Sequence, residues 1–304
     1  MKIFDTLPTF LPTDTVIAVG FFDGVHIGHK AVIEAAISHR REGQQAAAFS
    51  FLLDGSVPKA KVGAKMLTTL AQKAERMEKI GADMLICPPF SEIKSMSPEE
   101  YAHLLAVILR AKTVCCGYDY KFGKGAAADA EDLRKLLMPY GVELVKVDAV
   151  TDAGRPISST RIRALIENGE PDEAARLLGF PFMLDAPVVR GNKIGRKLGF
   201  PTANQRFSGG GIVPKYGVYA TRVTVDGKAY PAVTNVGVKP TVGDDLPGAE
   251  SWLPDFSGDL YDKTIRTEFI AYLREEKKFD SLEELSAQIK RDAERAVDIS
   301  SKKE

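Results

Sequence analysis

The sequence predicts two domains of different class: an α/β domain built on a parallel sheet, then an antiparallel β-barrel carrying a terminal helix. Three observations lead there. From residue 15 to about residue 150, short β-branched runs alternate with amphipathic stretches of about ten to fifteen residues, the order that makes strand–helix–strand crossovers. Beyond residue 183 the period changes to alternating apolar and polar positions around a turn pair. A chain of 304 residues also exceeds what one ordinary core organises.

TVIAVGFF, residues 15–22, reads as the first strand and IGHKAVIEAAISHRR as a helix, its apolar residues recurring at three- and four-residue steps. AAAFSF is a strand, LAQKAERMEKIG a helix and ADMLICP a strand. SPEEYAHLLAVILR, TVCCGYDY, DAEDLRKLLMPYG and VELVKV continue the alternation. Two short helices follow in ISSTRIRALIENGEPDEAARLLGF. In TRVTVDGKAYPAVTNVG the pair Asp226-Gly227 favours a tight hairpin turn, and KTIRTEFIAYLR alternates in the same way. A last helix begins near Ser281, which stands in capping-box spacing with Glu284, and runs towards Ala296. The domain boundary is expected near residue 183, giving domains 1–182 and 183–304.

Lysine plus arginine and aspartate plus glutamate number 41 each. No net positive field is therefore available for nucleic acid or an anionic membrane. The N-terminus lacks a signal-peptide core and no run approaches a membrane span, so a cytoplasmic enzyme is expected. Cys87, Cys115 and Cys116 supply neither a disulfide framework nor the spacing of a zinc site, and read as core residues.

FFDGVHIGHK, residues 21–30, ends a strand and opens a helix. First-turn N–H groups and the helix dipole favour phosphate there. Two imidazoles in HxGH spacing, His26 and His29, can donate to oxygens that gain charge during transfer at an α-phosphorus. The plainer alternative is that His26 caps the helix and His29 is solvated. ISSTRIR places hydroxyls before a helix and two arginines inside it, suited to a triphosphate or to a simple N-cap. GYDYKFGKG leaves a strand end with an acid, three aromatics and glycines, suited to stacking a flat ring or to an ordinary loop.

No GxxxxGK[ST] loop occurs in the chain. RGNKIGRKLGFPTANQ instead offers glycines and basic residues ahead of Thr202 and Asn204, neutral oxygen donors for Mg²⁺ beside ATP, or a basic surface loop before an edge strand. Glu250 opens ESWLPDFSGDLYDK and is a candidate general base.

GFFDGVHIGHK, GYDYKFGKG and RPISSTRIRALIENGEPDEAARLLG, with GRKLGFPTAN, PKYGVY, TNVGVKPTVG, DFSGDLY and LREEKKFDSLEELSAQIKRD, resemble in order and spacing the prokaryotic bifunctional riboflavin kinase/FAD synthetase family. The resemblance implies an HxGH nucleotidyltransferase fold followed by a six-stranded riboflavin kinase barrel. It implies phosphorylation of riboflavin to FMN with release of ADP, then transfer of AMP from ATP to FMN, giving FAD and pyrophosphate. By that resemblance His26 and His29 hold ATP phosphates, Gly20, Phe22, Asp23 and Gly28 shape the turn, and Ser159, Thr160 and Arg161 close over the triphosphate. Asp119 and Phe122 line the nucleotide and flavin side. Thr202 and Asn204 contact Mg²⁺ and ATP, Gly195 and Arg196 belong to a flap, and Glu250 is the catalytic base. Small molecules are the expected partners, with weak self-association. The chain departs from the family at Phe21, where asparagine is common, and at Ala126–Ala128, where a basic residue and a glycine are more usual. The alternative these departures raise is a kinase whose first half only binds nucleotide.

Overall fold

The computed structural model describes residues 1–58, 61–190, 199–238 and 247–301. By packing, the chain divides into two compact units, Met1–Ser159 and Thr160–Glu304. This division precedes the boundary expected near residue 183, because the second of the two short helices packs on strands of the second unit.

In the first unit, six strands form one sheet: β1 (Lys2–Phe4), β2 (Thr15–Val19), β3 (Gln45–Phe49), β4 (Met84–Ile86), β5 (Ala111–Gly117) and β6 (Glu143–Val147). Their order is β1-β4-β3-β2-β5-β6 and every pairing is parallel. The chain works outward from β2 to β4, then returns to the other side of β2 with β5. The crevice at which the order reverses therefore lies between β2 and β5, where open α/β sheets bind ligands at their carboxyl edge.

Both faces of the sheet are covered. Helices α1 (Ile27–Ser38) and α2 (Leu70–Ile80) bring Val32, Ile33, Ala74 and Met77 against Ala18, Ala48, Leu85 and Cys115. Helices α3 (Pro98–His103) and α4 (Ala130–Leu137) bring Tyr101, Ala102, Leu133 and Leu137 against Ile17, Val19, Phe49 and Val114 on the other face. Alternate residues of β2 thus serve two cores, which is why its run is apolar throughout. The cysteines are buried and free. The helical reading of SPEEYAHLLAVILR is interrupted after His103, where one π-type turn, Leu104–Ile108, completes the segment.

Helices α5 (Ser159–Asn168) and α6 (Pro171–Leu178) lead into the second sheet. It comprises β7 (Phe182–Pro187), β8 (Thr202–Arg206), β9 (Gly217–Val225), β10 (Lys228–Gly237), β11 (Gly248–Trp252) and β12 (Thr264–Arg274), in the order β7-β12-β9-β10-β11-β8. All its pairings are antiparallel. Among the described residues the two edges meet at one isolated bridge, Val189 with Asn204, where the expected barrel closes. Asp226 and Gly227 turn the β9–β10 hairpin with φ of 48° and 82°, as a twist-matched two-residue turn requires. Helix α7 (Leu282–Ser301) runs beyond Ala296 and packs Ala293 and Ala296 on Val218, Ala220 and Val233. The Ser281 hydroxyl accepts from the Glu284 N–H at 3.1 Å. No helix among the described residues is long and apolar enough to cross a membrane.

Phe269 is fully buried between Tyr219, Phe182 and Phe207, with ring centroids 5.2 to 6.4 Å away. Phe269→Ala is expected to cost about 3–5 kcal/mol through lost transfer energy and the cavity left behind, measured by urea unfolding.

Candidate active sites

The first site begins where β2 ends. Gly20 continues the ladder by donating to the Phe49 carbonyl, and the chain then turns sharply. Phe22 and Val25 have φ of 51° and 40°, left-handed values that bulky and β-branched residues rarely adopt. A Cβ on Gly20 would stand 2.8 Å from the Phe22 ring, so glycine there is what lets Phe22 fold beneath the turn. Phe22 and Asp23 are each 1% exposed and act from below. The Asp23 carboxylate accepts from the N–H groups of Leu67 and Thr68 at 2.9 and 3.4 Å.

His26 is the N-cap of α1: its Nδ1 accepts from the His29 N–H at 3.3 Å. The cap predicted as the plainer alternative is present, but His29 is not simply solvated. Its ring stacks on His26 with centroids 3.5 Å apart and planes 17° from parallel, and Phe22 meets it edge-on at 5.4 Å. A Cβ on Gly28 would lie 3.2 Å from the His26 ring, so this glycine makes room for the imidazole. His29 Nδ1 is buried without a hydrogen-bond partner among the described residues, a costly state for a group serving stability alone. Desolvation pushes His26 down to about 4, with Lys61 adding to the effect. Desolvation, then His26, Lys73 and Lys61, hold His29 well below its usual range. Both rings are therefore neutral at physiological pH. Because Nδ1 of His26 accepts, its proton sits on Nε2, which is a donor.

The Ser159 hydroxyl donates to the Asp23 carbonyl at 2.9 Å, tying the start of α5 to the turn; Thr160 and Arg161 follow in the helix's first turn. At the end of β5, Asp119 is exposed. Phe122 is not at the surface. It is 5% exposed and packs between Tyr101 and Tyr120, at centroid distances of 5.3 and 6.0 Å. Ala128 pairs with Phe122 in a two-residue ladder and is buried, which explains a small residue in the alanine run.

Sequence reasoning missed an aromatic row. Phe21, Phe51 and Phe90, which follow the adjacent strands β2, β3 and β4, form a row, Phe21 stacked on Phe51 at 4.8 Å and Phe51 tilted against Phe90 at 4.9 Å, and remain half-buried. Each phenylalanine belongs to a different segment, Phe90 opening the short helical turn Phe90–Ile93, so no local pattern marks the row.

The second site lies on the barrel. β11 pairs with β8 on one side and β10 on the other, placing Glu250 opposite both Asn204 and Asn235. Alternation turns Ala203 and Gln205 inward and leaves Thr202 and Asn204 half-buried on the opposite face. The Thr202 hydroxyl donates to Glu250 Oε1 at 2.8 Å, and Asn204 Nδ2 donates to the Thr202 carbonyl at 3.4 Å. Gly248 opens β11 in close packing: a Cβ there would stand 3.1 Å from the Gln205 carbonyl oxygen, so the neighbouring strand would have to give by a few tenths of an ångström. Among the described residues no cluster of three or more His, Cys, Asp or Glu could hold a metal. The oxygen set of Thr202, Asn204 and Glu250 does fit Mg²⁺, a hard cation that keeps waters and takes few protein ligands beside phosphates. The expected flap residues Gly195 and Arg196 lie outside the described residues.

The depressed histidines have a consequence for stability. The unfolded chain takes up protons near pH 6.5 and the folded turn does not, so stability is full above that value and falls as pH drops from 6.5 towards 4. For His26 the drop from its ordinary value to about 4 corresponds to on the order of 3 kcal/mol. Urea midpoints are expected to fall between pH 7.5 and 5, and His26→Asn, which keeps a capping acceptor, to flatten that dependence.

The family model described as FAD synthetase matches residues 10–161 and that described as riboflavin kinase matches residues 178–300. Proteins named bifunctional riboflavin kinase/FMN adenylyltransferase align along nearly the whole chain. That of Listeria monocytogenes is 36% identical over 91% of this chain and 90% of its own length; that of Bacillus subtilis is 34% identical over 93% and 92%. A crystal structure of a Streptococcus pneumoniae protein named macrolide-efflux protein matches with TM-score 0.85 and 29% identity, covering 97% of this chain and 98% of that one. Two family models in sequence, and full-length relatives that join the same two names, show that the chain belongs to the bifunctional riboflavin kinase/FMN adenylyltransferase family.

Proposed function

We propose that this chain makes FAD from riboflavin in two ATP-dependent steps, with the barrel, residues 183–304, as riboflavin kinase and residues 1–182 as FMN adenylyltransferase. The observation that carries the reading is the stacked, neutral His26–His29 pair at the N-terminus of α1, beside the crevice where the strand order reverses.

In the kinase step the riboflavin 5′-hydroxyl attacks the γ-phosphorus of ATP. An O–P bond forms, the bond to the β-phosphate oxygen breaks, and ADP leaves. Glu250 takes the hydroxyl proton as general base. The Thr202 hydroxyl spends its proton on Glu250, which leaves its lone pairs for a cation. Mg²⁺ held by Thr202 and Asn204 would neutralise phosphate charge. Gly195 and Arg196 are assigned to the phosphate flap.

In the second step an FMN phosphate oxygen attacks the α-phosphorus of a second ATP and pyrophosphate departs. No protein nucleophile is needed. The Nε2–H of His26, the His29 ring and the first-turn N–H groups of Ile27 and Gly28 surround the oxygens on which charge builds. Neutral donors fixed in a dry turn need little reorganisation as the charge appears. Gly20, Phe22 and Asp23 support the turn, and Ser159, Thr160 and Arg161 are assigned to the triphosphate. The half-buried row of Phe21, Phe51 and Phe90 is a surface on which the flavin ring can stack. Asp119 stands at the rim, with Phe122 supporting it from beneath through Tyr120. The substrates are small molecules, and weak self-association and a cytoplasmic location complete the reading.

Incubation of the protein with riboflavin, ATP and Mg²⁺, followed by chromatography of the flavins, should show FMN and then FAD. His29→Ala is expected to lower FAD formation by about 10²- to 10³-fold and leave FMN formation unchanged. Glu250→Gln is expected to lower FMN formation by about 10²- to 10⁴-fold while supplied FMN is still converted to FAD. Equal loss of both products in either variant refutes the division of labour.

A further inference from the structure

Lys73 lies in the second turn of α2 and is 5% exposed. A lysine can usually extend its ammonium to water, and a buried one costs folding energy unless its protons are matched. Here the ammonium turns inward. It donates to the Phe21 carbonyl oxygen at 2.8 Å and to Ser50 Oγ at 3.0 Å, and Ser50 Oγ donates to the same carbonyl at 2.8 Å. The ammonium also lies 5.0 Å from the Phe21 ring.

The carbonyl so held is the entry to the strained turn. The stretch leading into α2 grips that turn at two more points: Asp23 through the Leu67 and Thr68 N–H groups, and Gly24, whose N–H donates to Thr68 Oγ1 at 3.1 Å. Left-handed backbone at Phe22 and Val25 persists only where its surroundings over-determine it. Residues 67–73 supply that constraint at Phe21, Asp23 and Gly24, and His26 follows two residues later.

We propose that Lys73 is a positioning residue for adenylyl transfer: its buried ammonium fixes the Phe21 carbonyl, and with it the turn that sets where the two imidazoles stand. The inference rests on the assignment of adenylyl transfer to this turn. Lys73 touches no substrate in this scheme. Its charge also acts on His29 together with His26 and Lys61, while Asp23 acts on Lys73 itself.

The test uses the full chain and reads both products. Lys73→Met keeps the packing volume and removes the donors. It is expected to leave FMN formation within about two-fold, to lower kcat for FAD formation by about 10²-fold, and to change KM for ATP by less than about three-fold, as misplacement of a site by an ångström does. Loss of the positive charge beside His29 should also move the acid limb of FAD formation to higher pH, a shift that a smaller folded fraction would not produce. If Lys73→Met keeps its FAD kinetics while His29→Ala loses them, the inference is overturned and the reading beneath it stands. If His29→Ala keeps them, that reading itself falls. Should Lys73→Met lose both products, Ser50→Ala decides: FAD formation about ten-fold slower with FMN formation intact supports the proposal, and unchanged kinetics overturns it.

Discussion

The His29 amide donates to the His26 ring, and much of the first unit exists to make that short contact possible. It fixes three things together: the start of α1, the tautomer of His26 and the stacking of the two rings. A helix N-terminus alone attracts anions without regard to chemistry. Here two stacked imidazoles, His26 buried and His29 half-buried, stand at that N-terminus. The turn carries left-handed backbone at Phe22 and Val25 and a His29 ring nitrogen with no partner among the described residues, the kind of local strain that clusters at functional sites.

The barrel reaches its chemistry by a different route. Strand alternation alone brings Thr202, Asn204 and Glu250 to one face, and cross-strand register sets Glu250 opposite Asn204. No strain is needed, since pleat and register are the default geometry of paired strands. The glycine at 248 and the small side chains of Ala203 and Ala249 keep β8 and β11 close.

Much of this was legible in sequence because it is periodic. The 3.6-residue repeat of α1 and α2, the alternation of β9, β10 and β12, and the Asp226-Gly227 turn state their structure locally. HxGH spacing marked the turn between β2 and α1, but not the stacking of its rings. What sequence hid depends on distant partners. β1 is three exposed or half-exposed residues that become a strand only by pairing with β4. The strand carrying Glu250 opens on Gly248, whose close approach to the backbone of β8 no local pattern announces. Lys73 sits in LAQKAERMEKI, where a lysine reads as a solvated charge, yet its destination is a carbonyl 52 positions away. The phenylalanine row is assembled from three separate segments, and Phe122, expected on the nucleotide and flavin side, is buried against Tyr101 and Tyr120.

Among the described residues one backbone bond closes the seam of the barrel, the Val189 N–H donating to the Asn204 carbonyl at 2.8 Å, and beside it the Gln205 side-chain amide donates to the Ala186 carbonyl at 2.9 Å. Asn204, which accepts the backbone bond, is also the residue whose side chain is assigned to nucleotide and metal. A join this narrow makes edge closure and occupancy parts of one equilibrium: whatever grips Asn204 from outside steadies the meeting of the first and last ribs of the barrel, and whatever loosens that meeting slackens the grip.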